Sequence, residues 1–183
     1  MEDSLLSDKL EKKIKDENKV TEDDYKRSQT KLKLWQIIVR PKMAGFGDKN
    51  AQAKNSSEAK AAAEKMVASL KKTPTPQNFS AVAKKQSDDL ATKTKGGDVG
   101  WKLPAELAFS PDVRDALVKS NDKIVGPVSD ENSGDVYIFL VESRALKLPK
   151  DYAKNKTKLL KDFETQQDNE AWQKYQADVS KTA

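Results

Sequence analysis

Two runs of β-branched and aromatic residues lie far apart in the chain, Leu32-Lys-Leu-Trp-Gln-Ile-Ile-Val39 and Val136-Tyr-Ile-Phe-Leu-Val141. They constrain the fold more than any other feature. Both are too apolar to stand at an exposed sheet edge, so each needs neighbours on both sides, and the simplest solution sets them beside each other. Whatever lies between must then supply outer strands and helical cover.

The intervening sequence does this. Pro41–Asn55 holds Gly45, Gly47 and two asparagines and reads as a loop. From Asn55 a helical stripe of Ala59, Ala62, Ala63, Met66, Val67 and Leu70 runs to the stop at Thr73-Pro74-Thr75-Pro76. A short helix over Asn78–Gln86 turns Phe79, Val82 and Ala83 inward. Ser87–Lys95 is polar and irregular, and Gly96-Gly97-Asp98-Val99-Gly100-Trp101 is a glycine turn into a short strand. Ser110-Pro111 starts a helix with a capping serine and proline at its first position, burying Val113, Ala116 and Leu117. Ile124–Val128 reads as a further strand, and Asn132-Ser133-Gly134 turns into the last one.

Helices flank this region. At the N-terminal end Leu6, Leu10 and Ile14 fall at helical spacing, and Thr21 with Asp24 forms a capping-box pattern ahead of Tyr25. After Pro149 a long helix is expected from Asp151 to about Ser180, with Leu159, Phe163, Trp172, Tyr175 and Val179 as a sparse apolar edge. The expected class is therefore α+β: a four-stranded antiparallel sheet surrounded by helices, with an N-terminal helical arm over 1–31, a central domain over 32–146 and a long C-terminal helix over 147–183.

Composition excludes several chemistries. The chain has 183 residues, and charged residues make up 34% of it against 36% hydrophobic, a balance that suits a smaller globule with solvated helices attached. It has no cysteine and no histidine. Thiolate chemistry, Ser-His-Asp hydrolysis and histidine-based zinc sites are excluded, and neither a cofactor nor a metal is expected. The net charge of +5 is spread over interleaved lysines and acids without a stripe of stacking aromatics, so no nucleic-acid partner is expected. No apolar run approaches the ~20 residues that cross a bilayer, and residues 1–20 do not resemble a signal peptide. A secreted or membrane-anchored parent would have lost those parts.

The order Phe79-Ser80-Ala81-Val82-Ala83, Ser87-Asp88-Asp89, Lys95-Gly96-Gly97-Asp98-Val99-Gly100-Trp101 resembles parvulin-type peptidyl-prolyl isomerases over roughly Leu32–Arg144. Asp122–Val128 and the lead-in Lys19–Tyr25 resemble the SurA- and PrsA-like extracytoplasmic folding factors of that family. The family's two active-site histidines fall at Gln36 and Tyr137, so both are replaced, while its Cys or Asp position falls at Asp89 and stays acidic. The resemblance implies Asp89, Gln36 and Tyr137 as catalytic candidates, with Gln36 and Tyr137 within hydrogen-bonding reach, directly or through one water, in place of the histidine pair. It implies Phe109, Val113, Leu107 and Trp101 as the lining of a proline slot. The plainer readings are a satisfied polar pair for Gln36 and Tyr137, a turn-capping acid for Asp89, and ordinary core for Phe109 and Val113.

The implied function is isomerisation of prolyl bonds in unfolded or proline-containing polypeptide clients, with weakened activity, outside the cytoplasm. The alternatives are a catalytically inactive chaperone or peptide-binding module on the same fold, and a cytoplasmic binding protein using only its basic surface. The oligomeric state is left open.

Overall fold

The computed structural model describes the backbone of residues 2–45 and 47–182, and side-chain surroundings for 8–45 and 47–180. Leu6, counted above in the N-terminal stripe, has its side chain outside the described residues. The chain divides into two compact units, one formed by Ser28–Lys147 and the other by both ends together, Met1–Arg27 with Leu148–Ala183.

The central unit is a four-stranded antiparallel sheet in the order β2-β1-β4-β3. The strands are β1 (Thr30–Val39), β2 (Asp98–Lys102), β3 (Ile124–Ser129) and β4 (Val136–Leu146). The two apolar runs are the central pair, with Ile37 opposite Ile138 and Gln36 opposite Phe139. β4 continues beyond the expected Val141 to Leu146, because a bulge opposite Lys33/Leu34 lets its polar Glu-Ser-Arg segment keep pairing with the start of β1.

Side chains alternate across a strand, so one sheet builds two cores. Ile37, Val136, Ile138 and Leu140 face α3 (Lys49–Lys72) and α4 (Pro76–Gln86), where Ala63, Val67, Leu70 and Phe79 complete a buried cluster. Leu34, Ile38, Phe139 and Val141 face α5 (Pro111–Lys119), which buries Val113 and Leu117.

Helix boundaries follow their caps. α3 begins at Lys49 rather than near Asn55, because the Asp48 side chain accepts from Ala51 N at 2.9 Å and starts the helix inside the segment read as a loop. α4 starts at Pro76 under Thr75, whose hydroxyl accepts from Asn78 N at 3.3 Å. α5 starts at Pro111 as expected, but the Ser110 side chain does not cap it; its hydroxyl is buried without a partner. At the glycine turn, Gly97 has φ +85°, and a Cβ there would sit 2.4 Å from the Gln36 carbonyl oxygen. Only glycine permits both that conformation and that approach.

In the other unit, α1 (Glu2–Glu17) and α2 (Glu22–Ser28) accompany α6 (Tyr152–Thr182). The capping box forms as read: Asp24 N donates to Thr21 Oγ1 at 3.2 Å and Thr21 N to Asp24 Oδ2 at 2.9 Å. Tyr25 is buried, stacked on Tyr152 and edge-on to Phe163. Among the described residues, no helix is long and apolar enough to cross a membrane.

Candidate active site

The site lies on the α5 side of the sheet, at the centre of the β1–β4 pair. Gln36 opposes Phe139 and Ile38 opposes Tyr137. Since side chains two apart on a strand share a face, Gln36, Ile38, Tyr137 and Phe139 project together. The Tyr137 and Phe139 rings stack at 5.8 Å with planes 8° apart. Phe109, half-buried ahead of α5, leans on both, 5.2 Å from Tyr137 and 5.3 Å from Phe139. Such tilted pairs are favourable beyond their area alone.

Asp89 approaches from the loop after α4. That loop is laid against β1 by backbone and side-chain bonds together. Asp88 N donates to Ile38 O at 2.8 Å, and the fully buried Ser87 hydroxyl accepts from Ile38 N and from Asp89 N, each at 3.2 Å. Arg40 clamps the outside, its N donating to Asp88 Oδ2 at 2.9 Å and its guanidinium to Asp88 O at 3.2 Å.

Asp89 is buried, yet both of its carboxylate oxygens are hydrogen-bonded. Oδ1 accepts from Ala91 N at 3.1 Å, and Oδ2 accepts from Gln36 Nε2 at 2.6 Å and from the Thr92 hydroxyl. Burial pushes the carboxyl up, but the hydrogen bonds from Thr92, Gln36 and Ala91, with the Arg40 charge, outweigh it and hold Asp89 below the ordinary 3.8. The Tyr137 phenol is raised above the ordinary 10.0, first by burial and then by the negative charges of Asp135, Asp130 and Asp89, against Arg40. At neutral pH the site therefore holds a carboxylate and a protonated phenol.

The structure brings Asp89 and Gln36 into contact and sets Tyr137 and Phe109 beside them on one face. Gln36 and Tyr137 make no direct hydrogen bond. Gln36 Nε2 is taken by Asp89, and Gln36 Oε1 is buried without a partner. The orientation is forced, because turning the amide round would set its carbonyl against a carboxylate. Leu107 and Val113 are buried in the same cluster, with Val113 at 0% exposure, and Phe109 packs against it. Trp101, expected to line the slot, is elsewhere. It pairs with Lys33, and Lys33 lies between Leu32 and Leu34, both turned to the α5 side, so Trp101 faces the opposite side of the sheet.

Sequence reasoning missed Thr92 and Arg40. The Asp-x-x-Thr spacing from Asp89 to Thr92 was a local signal, being the reach of a side-chain-closed turn. Arg40 carried no signal until Asp88 was placed beside it. Among the described residues no group of three or more acids is placed to hold a metal ion.

No curated protein matches the chain. Among solved structures it is similar to a PpiC-type peptidyl-prolyl cis-trans isomerase domain at 21% identity and a TM-score of 0.51, covering 67% of this chain and 97% of that one. It is also similar to a SurA-like chaperone of Campylobacter jejuni at 19% identity and a TM-score of 0.49, covering 100% and 69% of the two chains. PrsA, a peptidylprolyl isomerase of Bacillus anthracis, aligns at 22% identity with a TM-score of 0.46, covering 95% and 70%. Residues 37–142, more than half of the chain, match the rotamase family described as the PPIC-type PPIase domain. With that match and the four-stranded sheet, the chain belongs to the PPIC-type, or parvulin, family of peptidyl-prolyl cis-trans isomerases.

Proposed function

We propose that residues 32–146 act as the isomerase domain and catalyse prolyl isomerisation weakly, through a histidine-free site. In this reading Phe109 and Tyr137 contact the substrate, and Asp89 and Gln36 hold their surroundings. The observation that carries it is Phe109 standing over the stacked Tyr137–Phe139 pair, with the Asp89 carboxylate fixed beside them.

Rotation about a peptide bond faces a barrier of ~18–20 kcal/mol from amide resonance, and an X-Pro bond in solution takes tens to hundreds of seconds to turn over. No covalent step is required. The planar amide is the more dipolar state, so a water-poor aromatic slot disfavours it relative to the twisted one. A pyrrolidine ring against Phe109 and Tyr137 meets that condition. The Tyr137 hydroxyl, protonated at neutral pH, is a donor for the imide nitrogen as its lone pair localises. Asp89 does not act as a base, since its oxygens are already engaged. It is a positioning residue that fixes the Gln36 amide.

The substrates are proline-containing, unfolded polypeptides. The Lys19–Tyr25 and Asp122–Val128 resemblances to SurA- and PrsA-like factors support a location outside the cytoplasm, and support residues 1–31 and 147–183 as client-holding arms. A second reading, a chaperone module without catalysis, is favoured by the engagement of both Asp89 oxygens in hydrogen bonds within the domain.

Proline-peptide exchange measured by NMR separates the two. The first reading expects slow but measurable exchange, lowered about tenfold by Phe109→Ala and lowered again by Tyr137→Phe, a loss of about 1.4 kcal/mol per factor of ten. Peptide binding with no exchange, still weakened by Phe109→Ala, establishes the second reading.

A further inference from the structure

The lysines of the helical layer behind the sheet are distributed unlike those of any other helix in the chain. In the other helices acids nearly match or outnumber the basic residues, and several pair along the helix: Lys13 with Glu17 and Lys15 with Glu11 in α1, Lys26 with Glu22 in α2, Lys119 with Asp115 in α5, Lys158 with Asp162 in α6. α3 and α4 together carry eight lysines against two acids, Glu58 and Glu64. Among the described residues, one of those eight has an ion pair, Lys54 with Glu58 at 4.0 Å.

Three of the six lysines of α3 share its outward side, with Glu58 and Glu64 beside them. The buried residues of α3 are Ala59, Ala63, Val67 and Leu70. At 100° per residue Lys54, Lys65 and Lys72 fall on the opposite ridge, which spans ~27 Å at 1.5 Å per residue. All three are exposed, as are Lys84 and Lys85 at the end of α4. Ala61 and Ala68 lie between the ridge lysines and are exposed too. The exposed residues of the two helices include no aromatic ring.

We infer that the outer face of α3 and α4 is a docking surface for an anionic lipid bilayer. The chemistry favours a headgroup layer over nucleic acid. Neither helix contains arginine, which gives bidentate recognition of bases and phosphates, and neither presents a ring for base stacking. Lysine ammonium groups are hydrated point charges suited to the diffuse field of an anionic leaflet, which attracts each of them without a fixed partner. With alanine between them, the helices rest on the surface without inserting, so the association is reversible and salt-sensitive. The sheet separates this face from Phe109, Tyr137 and Phe139, so a molecule docked by α3 and α4 turns its aromatic cluster away from the bilayer, toward passing chains.

The test is co-sedimentation of the full chain with phosphatidylglycerol–phosphatidylcholine vesicles and with phosphatidylcholine alone, over a series of salt concentrations. Binding to the anionic vesicles only, falling steeply with salt, is expected. Changing Lys65, Lys72, Lys84 and Lys85 to Gln weakens it by about fivefold per lysine, the factor set by about 1 kcal/mol per basic residue near an anionic surface. Gln keeps helix propensity, and circular dichroism checks the fold; if the quadruple variant unfolds, Lys65→Gln and Lys72→Gln are read singly. A charge-matched control with Lys12, Lys19, Lys154 and Lys161 changed to Gln retains binding. Equal binding to neutral vesicles, an equal loss in the control, or tighter binding of single-stranded RNA through the same four lysines overturns the proposal.

Discussion

Gln36 donates its side-chain amide to Asp89 across 2.6 Å, tying the middle of β1 to the loop that follows α4. Both residues are buried, Gln36 at 8% and Asp89 at 6% exposure. The Gln36 side chain is an amide and cannot titrate. The site is therefore fixed by a neutral donor and a permanent anion.

Asp89→Ala is expected to destabilise the central unit by about 2–4 kcal/mol, because it removes a charged acceptor and strands the Gln36 amide donor. Denaturant unfolding measures this. Asp89→Asn is expected to cost less, since a carbonyl oxygen remains to accept from Gln36. Equal costs for the two variants would mean that the Gln36 bond contributes nothing.

Exchange activity is expected to be flat between pH 5 and 8. Asp89 stays ionised throughout, its carboxyl being held below 3.8, and Tyr137 stays protonated, its phenol being raised above 10.0. For stability, the depressed Asp89 value means that its contribution is complete above the unfolded-state pKa near 3.9 and disappears as pH falls through the lower folded value. Acid unfolding should accordingly be shallower in Asp89→Asn than in the parent chain. Exchange rates across the neutral range, with melts below pH 5, check both statements.

Gln36→Glu would set a second carboxyl against Asp89. Like charges at this distance raise one pKa strongly, so the variant is expected to be close to the parent in stability at acid pH and to lose stability as pH rises through the raised Glu value. A variant whose stability rises with pH over that range would place the two groups apart.

Gly97→Ala meets the Gln36 carbonyl at 2.4 Å with φ +85°, whereas Gly100→Ala, at φ +82°, meets nothing within 4 Å. The second is expected to cost only the left-handed conformation, about 1–2 kcal/mol. The first adds a clash with backbone that cannot move aside and should cost about 3 kcal/mol or more. The difference between the two melts isolates the close approach.

Glu22, at the start of α2, titrates at about 2 through its bonds to Lys156, Lys26 and Tyr152. Carboxylate NMR shifts should show a midpoint near that value. Lys156→Gln should return it part of the way toward 4.5, since Lys156 is its largest partner.

Much of this was legible because local signals and burial agreed. The Thr21 capping box, the proline start of α5, and the central pairing of the two apolar runs depend on short-range chemistry or on hydrophobicity that admits one arrangement. What failed was of another kind. The start of α3 was hidden because Gly45 and Gly47 read as loop, although Asp48 already carried the cap. The Gln36 partner was misassigned because hydrogen-bond choice inside the site depends on where the 87–92 loop closes, and strand pattern says nothing about that. Trp101 was misplaced by one step of strand alternation, which turns a side chain from one face to the other.

The central pairing of β1 with β4 also sets an order of events during synthesis. A chain made from its N-terminus completes Leu34–Val39 long before Val136–Val141 exists, and the helices formed in between cannot close the ladder on their own. Until β4 emerges, the edge of β1 that it covers is unpaired and open to pairing with another nascent chain. The pairing that builds the centre of the sheet is therefore among the last to form.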